Sequence, residues 1–527
     1  MKMRRIVNGF MALANRIADR YSAAIAHEVA LRRHRRILSG RSMQYAAAKT
    51  NRLTGTWTTY LPNVNDIISA SSPAIRARVN QLTRDFPYFA RALDTIVDYT
   101  VGPGIIYQSR VKLSNGKLDK KRNQVIEDAF KWWADEADAA GKLHYYEIMR
   151  LAKRQEAETG EFLIVKVASK DRNRYLPFAL QIYEANWLTS SHDSYGAGGI
   201  GISAQPGETE TRQGIEYEKR TGRVMAYWFQ DPYYGGDAVR IPADQVIHGF
   251  DAQRPQQLRG MTRLAPGVLL AHDLHDYMGA EIDGAKFAAK FLAFIKKEKP
   301  GLGQGLNGLG VGTVTKETGT DGVTRYIEDM ENAIVEYLKA GDDIVLAKSE
   351  RPGTTFTPFV RLLLTMLSVT SGVPYEILTG DYQGLNFSTA RIVRNDFQQQ
   401  LRPISIRHIR QFGLSTQRTA LDWAVMTEKV KLPGYFQNPR HYWESEWQPP
   451  GMDAVDPLRE AKGQVEAIRA MLKSPQEVAR ERSRDLEDIY REIAEAIALA
   501  KEYGLEFDLS KVGTALAGNP AAIMKED

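Results

Sequence analysis

The chain has 527 residues and a mass of 59.3 kDa, is 43% hydrophobic and 25% charged, and has a mean hydropathy of −0.39. It is long enough for several domains with real cores, and its composition is neither disordered nor membrane-like. The absence of cysteine excludes disulfides, thiolate nucleophiles and cysteine-ligated metals.

The net charge of +6 is uneven: eleven Lys/Arg against two acids give residues 1–50 a charge of +9, leaving −3 for the rest. This basic arm is densest at Arg32, Arg33, Arg35 and Arg36. It reads either as a contact for nucleic acid or an acidic protein surface, or as a solvated amphipathic helix. Its first apolar segment is broken by Asn15, Arg16 and Asp19, unlike a secretory signal. No apolar run reaches the ~18 residues of a membrane span.

A helix is expected over Ala74–Thr100, interrupted at NQLTRDFP (80–87) and stopped by VGPG (101–104). Residues 123–139 predict an amphipathic helix with Val125, Ile126, Ala129, Phe130 and Trp133 on one side. The period then changes. EFLIVKVA (161–168) and FALQIYEA (178–185) read as strands, and IEYEKRTGRVMAYWFQD (215–231) as a hairpin turning at Thr221-Gly222. A long helix follows over Pro266–Lys296, roughly 46 Å if continuous at about 1.5 Å per residue, although Gly279 and Gly284 weaken it.

Residues 297–352 read as a small α/β insert with its ends drawn together, containing a short helix near 330–340. The helical pattern of 359–371 then yields to GVPYEILTGDYQGLNFSTARI (372–392), a Pro-, Gly- and Asn-rich loop between two helices. Such a loop is either a lid or something presented to a partner. Further on, Leu458, Ala461, Val465, Ile468 and Leu472 recur at helical spacing. Ser474-Pro475-Gln476-Glu477 restarts a helix with a capping box, and its apolar stripe runs through Leu486, Ile489, Ile493 and Ile497 to Glu502. Residues 504–527 read as a tail.

Catalytic patterns are poorly supported. GQGLNG (303–308) matches GxGxxG but lacks the strand–turn–helix context of a dinucleotide site, and there is neither a P-loop nor a GxSxG elbow. The HDLHD run (272–276) is the nearest approach to a metal site, but it matches no standard zinc signature and reads instead as a hydrated helix face. Asp381 has no His or Lys partner nearby in sequence. WESEW (443–447) is flanked by acids and reads as packing, not as a nucleic-acid groove.

Five blocks in this order resemble the lambda-like family of tailed-phage portal proteins over nearly the whole chain. They are TRDFPYFARALDTIVDYTVGPGI (83–105), VIHGFDAQRPQQLRGMTRLAPGVLLAHDLHDY (246–277), AKFAAKFLAFI (285–295), PGTTFTPFVRLLLTMLSVTSGVPYEILTGDYQGLNFSTARI (352–392) and WQPPGMDAVDPLREAKGQVEAIRAMLKSPQEVARERSRDLEDIYREI (447–493).

The resemblance implies a mixed α/β multidomain portal fold in a ring, usually of twelve subunits, around a DNA channel. It implies an outer wing (51–265, returning over 388–451), stem helices (266–296 and 353–373), a clip (297–352), a tunnel loop (374–387), a helical crown (452–503) and a flexible tail (504–527). Tyr375, Asp381, Tyr382, Leu385 and Asn386 would face DNA or neighbouring loops, and Asp273, Asp276, Glu281 and Asp283 would line the channel. Implied partners are double-stranded DNA, the terminase large subunit, major capsid and scaffold proteins, and head–tail connector proteins, with no membrane and no cofactor. The implied location is the portal vertex of the virion, reached from the host cytoplasm. Two rivals remain: a soluble DNA-binding protein acting through residues 1–50, and a hydrolase or nuclease using HDLHD and Asp381.

Overall fold

The computed structural model describes residues 56–194, 200–201, 203–290, 353, 355–451, 457–482 and 484–503, isolated residues 11, 28 and 52, and four short strands between 294 and 345. Arg32, Arg33, Arg35 and Arg36, the GxGxxG run, the helix expected near 330–340 and the tail lie outside these residues. The chain divides into two compact units, residues 1–67 and 68–527. Apart from the first residues of α1, all that follows concerns the second.

Helices α1 (Val64–Asp85) and α2 (Pro87–Thr100) are separated at Phe86, as the interruption at 80–87 leads one to expect. Pro87 opens α2, where its missing N–H costs nothing. Helix α1 begins ten residues before the expected Ala74 and carries Pro73 inside it; from sequence, that proline reads as a boundary. Strand β1 (Ile106–Ser109) leads to α3 (Lys120–Ala134), whose first turn is capped by the Asp119 carboxylate. Ile126, Ala129, Phe130 and Trp133 are buried as expected, but Val125 lies on the exposed side. Helix α4 (Tyr145–Thr159), which the sequence reading leaves without an element, ends at Gly160.

Strand β2 (Glu161–Ala168) is the centre of a three-stranded antiparallel sheet. It pairs with β3 (Phe178–Tyr183) on one edge, Ile164 opposite Ile182. A second sheet is an antiparallel meander of β4 (Thr209–Arg212), β5 (Ile215–Glu218), β6 (Val224–Asp231) and β7 (Gly235–Pro242), and β5–β6 is the expected hairpin. Strand β8 (Val246–Phe250) returns to the other edge of β2, with Ile247 opposite Ile164.

Helix α5 (Val268–Lys290) starts from a 3₁₀ turn containing Pro266 and is shorter than the expected 266–296. Residues Phe294–Lys297 instead form β9, antiparallel to β12 (Asp342–Val345), and between them β10 (Val314–Thr318) and β11 (Thr324–Glu328) form a hairpin. The β9–β12 pairing draws the ends of the insert together.

Helix α6 (Phe356–Ser371), one-turn helix α7 (Tyr375–Thr379) and long helix α8 (Phe387–His408) follow, and a π-helical turn joins α8 to α9 (Leu414–Met426). After the short α10 (Pro439–Tyr442), β13 (Ser445–Gln448) pairs with β1, setting Trp447 opposite Tyr107. The chain closes with α11 (Pro457–Arg469), α12 (Pro475–Glu481) and α13 (Leu486–Glu502).

Three apolar cores result. The first packs Phe130, Trp133, Tyr145, Phe178 and Phe412 with Trp447, so WESEW is a core segment. Trp133 stacks on Phe178 at 5.1 Å and donates from Nε1 to the Phe178 carbonyl at 2.8 Å. A second core joins α1, α2, α5, α6 and α8 through Phe89, Leu93, Leu274, Leu367 and Phe397. A third lies between the two sheets, around Leu163, Ile215 and Tyr227.

Candidate functional site

Helices α5 and α6 pack antiparallel. The start of α5 meets the end of α6 around Gly267 and Thr370, and Tyr277 lies 5.7 Å from Phe356 and 5.4 Å from Phe359. Helix α5 buries Val268, Ala271 and Leu274, and at about 100° per residue Asp273, Asp276 and Asp283 fall together on the opposite, exposed face. Glu281 is half-buried and turned about 80° from Asp273, away from that stripe. Compensation is slight: His272 Nδ1 lies 3.5 Å from Asp276, and Lys286 Nζ lies 3.0 Å from Asp283.

HDLHD does not converge. His275 packs its ring 5.5 Å from Phe86, and no group of three metal-binding side chains gathers among the described residues. No described helix is long and apolar enough to cross a membrane.

Helix α6 is apolar on both sides. Leu364 and Leu367 face the second core, while Phe359, Leu362, Met366 and Val369 form an exposed stripe, Val369 at 79%. A helix apolar all round belongs inside an assembly rather than at a water surface.

The loop expected at 374–387 is partly helical. Gly372 and Gly380, both near φ +73°, end α6 and α7 in the left-handed conformation that glycine adopts most easily. Tyr375, in the first turn of α7, packs against the second core and beneath the Arg361 guanidinium. Asp381 accepts from the Gln383 backbone N–H at 3.1 Å, shaping the turn that follows α7. Asn386 caps α8, its Oδ1 accepting from Thr389 N–H and Oγ1–H at 2.8 Å each. Leu385 is half-buried, and Tyr382 is the large side chain left outward, 60% exposed.

Two buried ionic nodes tie β2, α4 and α8 to the segment that leads from β8 into α5, and the sequence reading identified neither. Glu161, at the start of β2, accepts from Arg76 Nη2 at 2.6 Å, Arg259 Nε at 2.7 Å and Gly260 N–H at 2.8 Å, with His248 Nε2 at 3.0 Å. Burial alone would raise its carboxyl, but Arg259, Arg76 and His248 outweigh that and hold it well below the usual range. The loop bearing Arg259 fits against β2 because Gly260 lies against the Gly160 carbonyl, where a Cβ would come within 2.0 Å.

In the second node Glu156 accepts from Lys153 at 3.0 Å and Arg407 at 2.8 Å, and Arg407 also reaches Asp251 at 2.8 Å. Against the cost of burial, Lys153 and Arg407 bring Glu156 down to about 2. Burial holds the adjacent His408 down at about 4, although Glu156 acts in the opposite sense. Glu-and-Gly pairs such as Glu161…Gly260 carry no local sequence signal; only a buried strand beginning on a charge (EFLIVKVA) hints at one.

A family model described as phage portal protein, lambda family, matches residues 50–404. A probable portal protein of Halomonas phage phiHAP-1 is 26% identical over 505 residues, covering 92% of this chain and 91% of its own length. Portal protein B of Escherichia phage lambda is 22% identical over 449 residues, covering 79% and 81%. Among solved structures, a subunit from the neck of a native GTA particle computed with C12 symmetry is 14% identical and covers 78% of this chain and 96% of its own. Its TM-score of 0.42 is too low to build on.

Proposed function

Because the chain belongs to the lambda family of phage portal proteins, we infer that its α5–α6 pair forms the wall of the passage for which that family is built. The protein is a structural component, not an enzyme, and it sits at the portal vertex of the virion, where it forms the ring-shaped channel that phage DNA passes through. The match over residues 50–404 carries this conclusion.

The finer assignment is our reading. The sheets and α3–α4, with the return through α9 and β13, are the outer wing. Helices α5 and α6 are stem, β9–β12 belong to the clip, and α11–α13 form the crown. The bare apolar stripe of α6 supports the stem assignment, since a ring gives every such helix a neighbour. The acidic stripe of Asp273, Asp276 and Asp283 supports a channel lining, because a surface that repels phosphate lets DNA slide where a cationic one would hold it. Tyr382, with Leu385 beside it, is the part of the tunnel loop that reaches outward, while Tyr375, Asp381 and Asn386 shape and anchor the loop. The clip docks the terminase large subunit and head–tail connector proteins, and the basic arm meets capsid, scaffold or DNA.

Native mass and images of the purified chain test the reading. A hollow ring of twelve 59.3-kDa chains, about 710 kDa, is expected. A monomer or dimer that persists across concentration and salt, and binds DNA through residues 1–50, would overturn it in favour of a DNA-binding module.

A further inference from the structure

The three helices α11, α12 and α13 make a unit that cannot stand alone. Among the described residues of 457–503 the only buried apolar side chains are Ala479 and Ala500. The apolar stripes stay half-exposed or exposed: Leu458, Val465 and Ile468 on α11, and Ile489, Tyr490 and Ile493 on α13. So little buried apolar area cannot offset the ordering of these residues.

Attachment to the rest of the chain is largely ionic: Arg110 to Asp485 at 3.2 Å, Lys120 to Glu487 at 3.2 Å and Arg480 to Glu446 at 2.6 Å. These pairs tether the unit without covering its stripes.

Charge indicates what does. Residues 457–484 carry seven Lys/Arg against four acids, +3, while α13 carries five acids against two bases, −3. Some of these charges pair locally, as in Arg484–Glu492 and Lys473–Glu481. Among the described residues, Lys462 and Arg482 on the basic side and Glu495 and Glu502 on the acidic side are exposed and have no ion pair.

We propose that α13 of one subunit packs its Ile489–Ile493 stripe against the α11–α12 face of the next, giving a collar of helices in which each crown completes its neighbour's core. Two different faces meet, so the contact is head-to-tail and closes only as a ring. The proposal rests on the ring reading above and adds to it the surface used and its polarity. It also makes the collar salt-sensitive, because part of the contact is between opposite charges.

The cysteine-free chain makes the test direct. Full-length subunits carrying Val465→Cys and subunits carrying Ile493→Cys are prepared separately and together, and treated with a bis-maleimide linker long enough to bridge packed helices, whose axes lie about 8–10 Å apart. Covalent dimers are expected in the co-assembled sample and in neither variant alone, with the yield falling in high salt. Dimers from Ile493→Cys alone would mean that α13 meets α13, which overturns the head-to-tail polarity. Rings of full native mass without cross-links in any sample would overturn the collar and leave the ring reading standing. If the unmodified chain forms no ring, the ring reading fails first. Glu495→Lys provides a cysteine-free check: it is expected to raise hydrogen exchange over 486–503 in the assembled ring and leave the exchange of α3 and α4 unchanged, and equal exchange in both forms would count against the contact.

Discussion

Glu161 and Asp273 are both carboxylates within the portal's single larger unit, yet their surroundings are opposite. Glu161 is fully buried and gripped by two guanidiniums, a histidine and a backbone N–H. Asp273 stands on an exposed face beside Asp276, with His272 as its near neighbour. The charge at Glu161 specifies geometry, locking the 254–263 loop onto β2 just before α5 begins. Among the described residues the charge at Asp273 meets only the neighbouring His272, 3.8 Å away, and is otherwise left to solvent. The same contrast separates the two faces of α6: Leu367 belongs to a core, and Val369 waits for one.

The largest effect should come from breaking the buried node. Glu161→Leu leaves Arg76 and Arg259 facing each other without an anion, a loss of about 3–5 kcal/mol. A lowered melting temperature or loss of soluble protein is expected, and an unchanged melt would show that the node is dispensable.

Next in size is the exposed side of α6. Leu362→Asp with Val369→Asp should leave the melt of the isolated subunit within about 0.5 kcal/mol of wild type. The same pair should abolish ring assembly by native mass. Rings of normal mass would remove this stripe from the subunit contact.

The second node sharpens the comparison through pH. His408 has a folded pKa of about 4, below its unfolded value of 6.5, so neutral imidazole is favoured in the fold. Its contribution is whole above pH 6.5 and is lost as pH falls towards 4, about 3 kcal/mol in all. Glu156, depressed to about 2, loses its contribution lower still, between 4.5 and 2. The melting temperature of wild type relative to His408→Gln should therefore fall as pH drops from 6.5 towards 4, a difference in which the other titrating groups cancel. Glu127, raised to about 7 chiefly by burial, with Asp488 and Asp485 adding to it, runs the other way: its neutral form suits the fold, so its contribution is whole below pH 4.5 and is lost as pH rises from there through 7, opposing His408 over the same window.

The smallest effect on stability is expected at the acidic stripe. Asp273→Asn, Asp276→Asn and Asp283→Asn together should barely move the melt, and replacement of the same three by Lys should slow DNA packaging more at low salt than at high salt. Packaging unaffected by the lysines would remove these positions from the channel lining.

Much of the architecture was legible along the chain. The hairpin at Thr221-Gly222 declares itself by alternation around a turn, and Phe86-Pro87 by the proline that starts α2. Helix α4 was not legible because two of its inward positions are charged. Lys153 and Glu156 are buried against each other, so the apolar stripe through Ile148, Met149 and Ala152 is interrupted where a helix would show it. The C-terminal end of α5 was misjudged for the opposite reason: AKFAAKFLAFI continues a helical pattern into residues that a distant strand, β12, recruits as β9. Within the site, Asp381 and Asn386 stood out as polar loop residues, but their use as a turn former and a helix cap depends on where α7 stops and α8 starts.

Local chemistry, then, sufficed for what depends on neighbours in sequence: helix periods, the glycines that end α6 and α7, the lack of any cysteine chemistry and the run of blocks that marks the family. Partners far apart in the chain needed the tertiary structure. Glu161 meets Arg76 and Arg259 across 85 and 98 residues, and β1 meets β13 across most of the molecule. No periodicity encodes such pairings, because the free energy that selects them arises only when burial strips water from both partners at once.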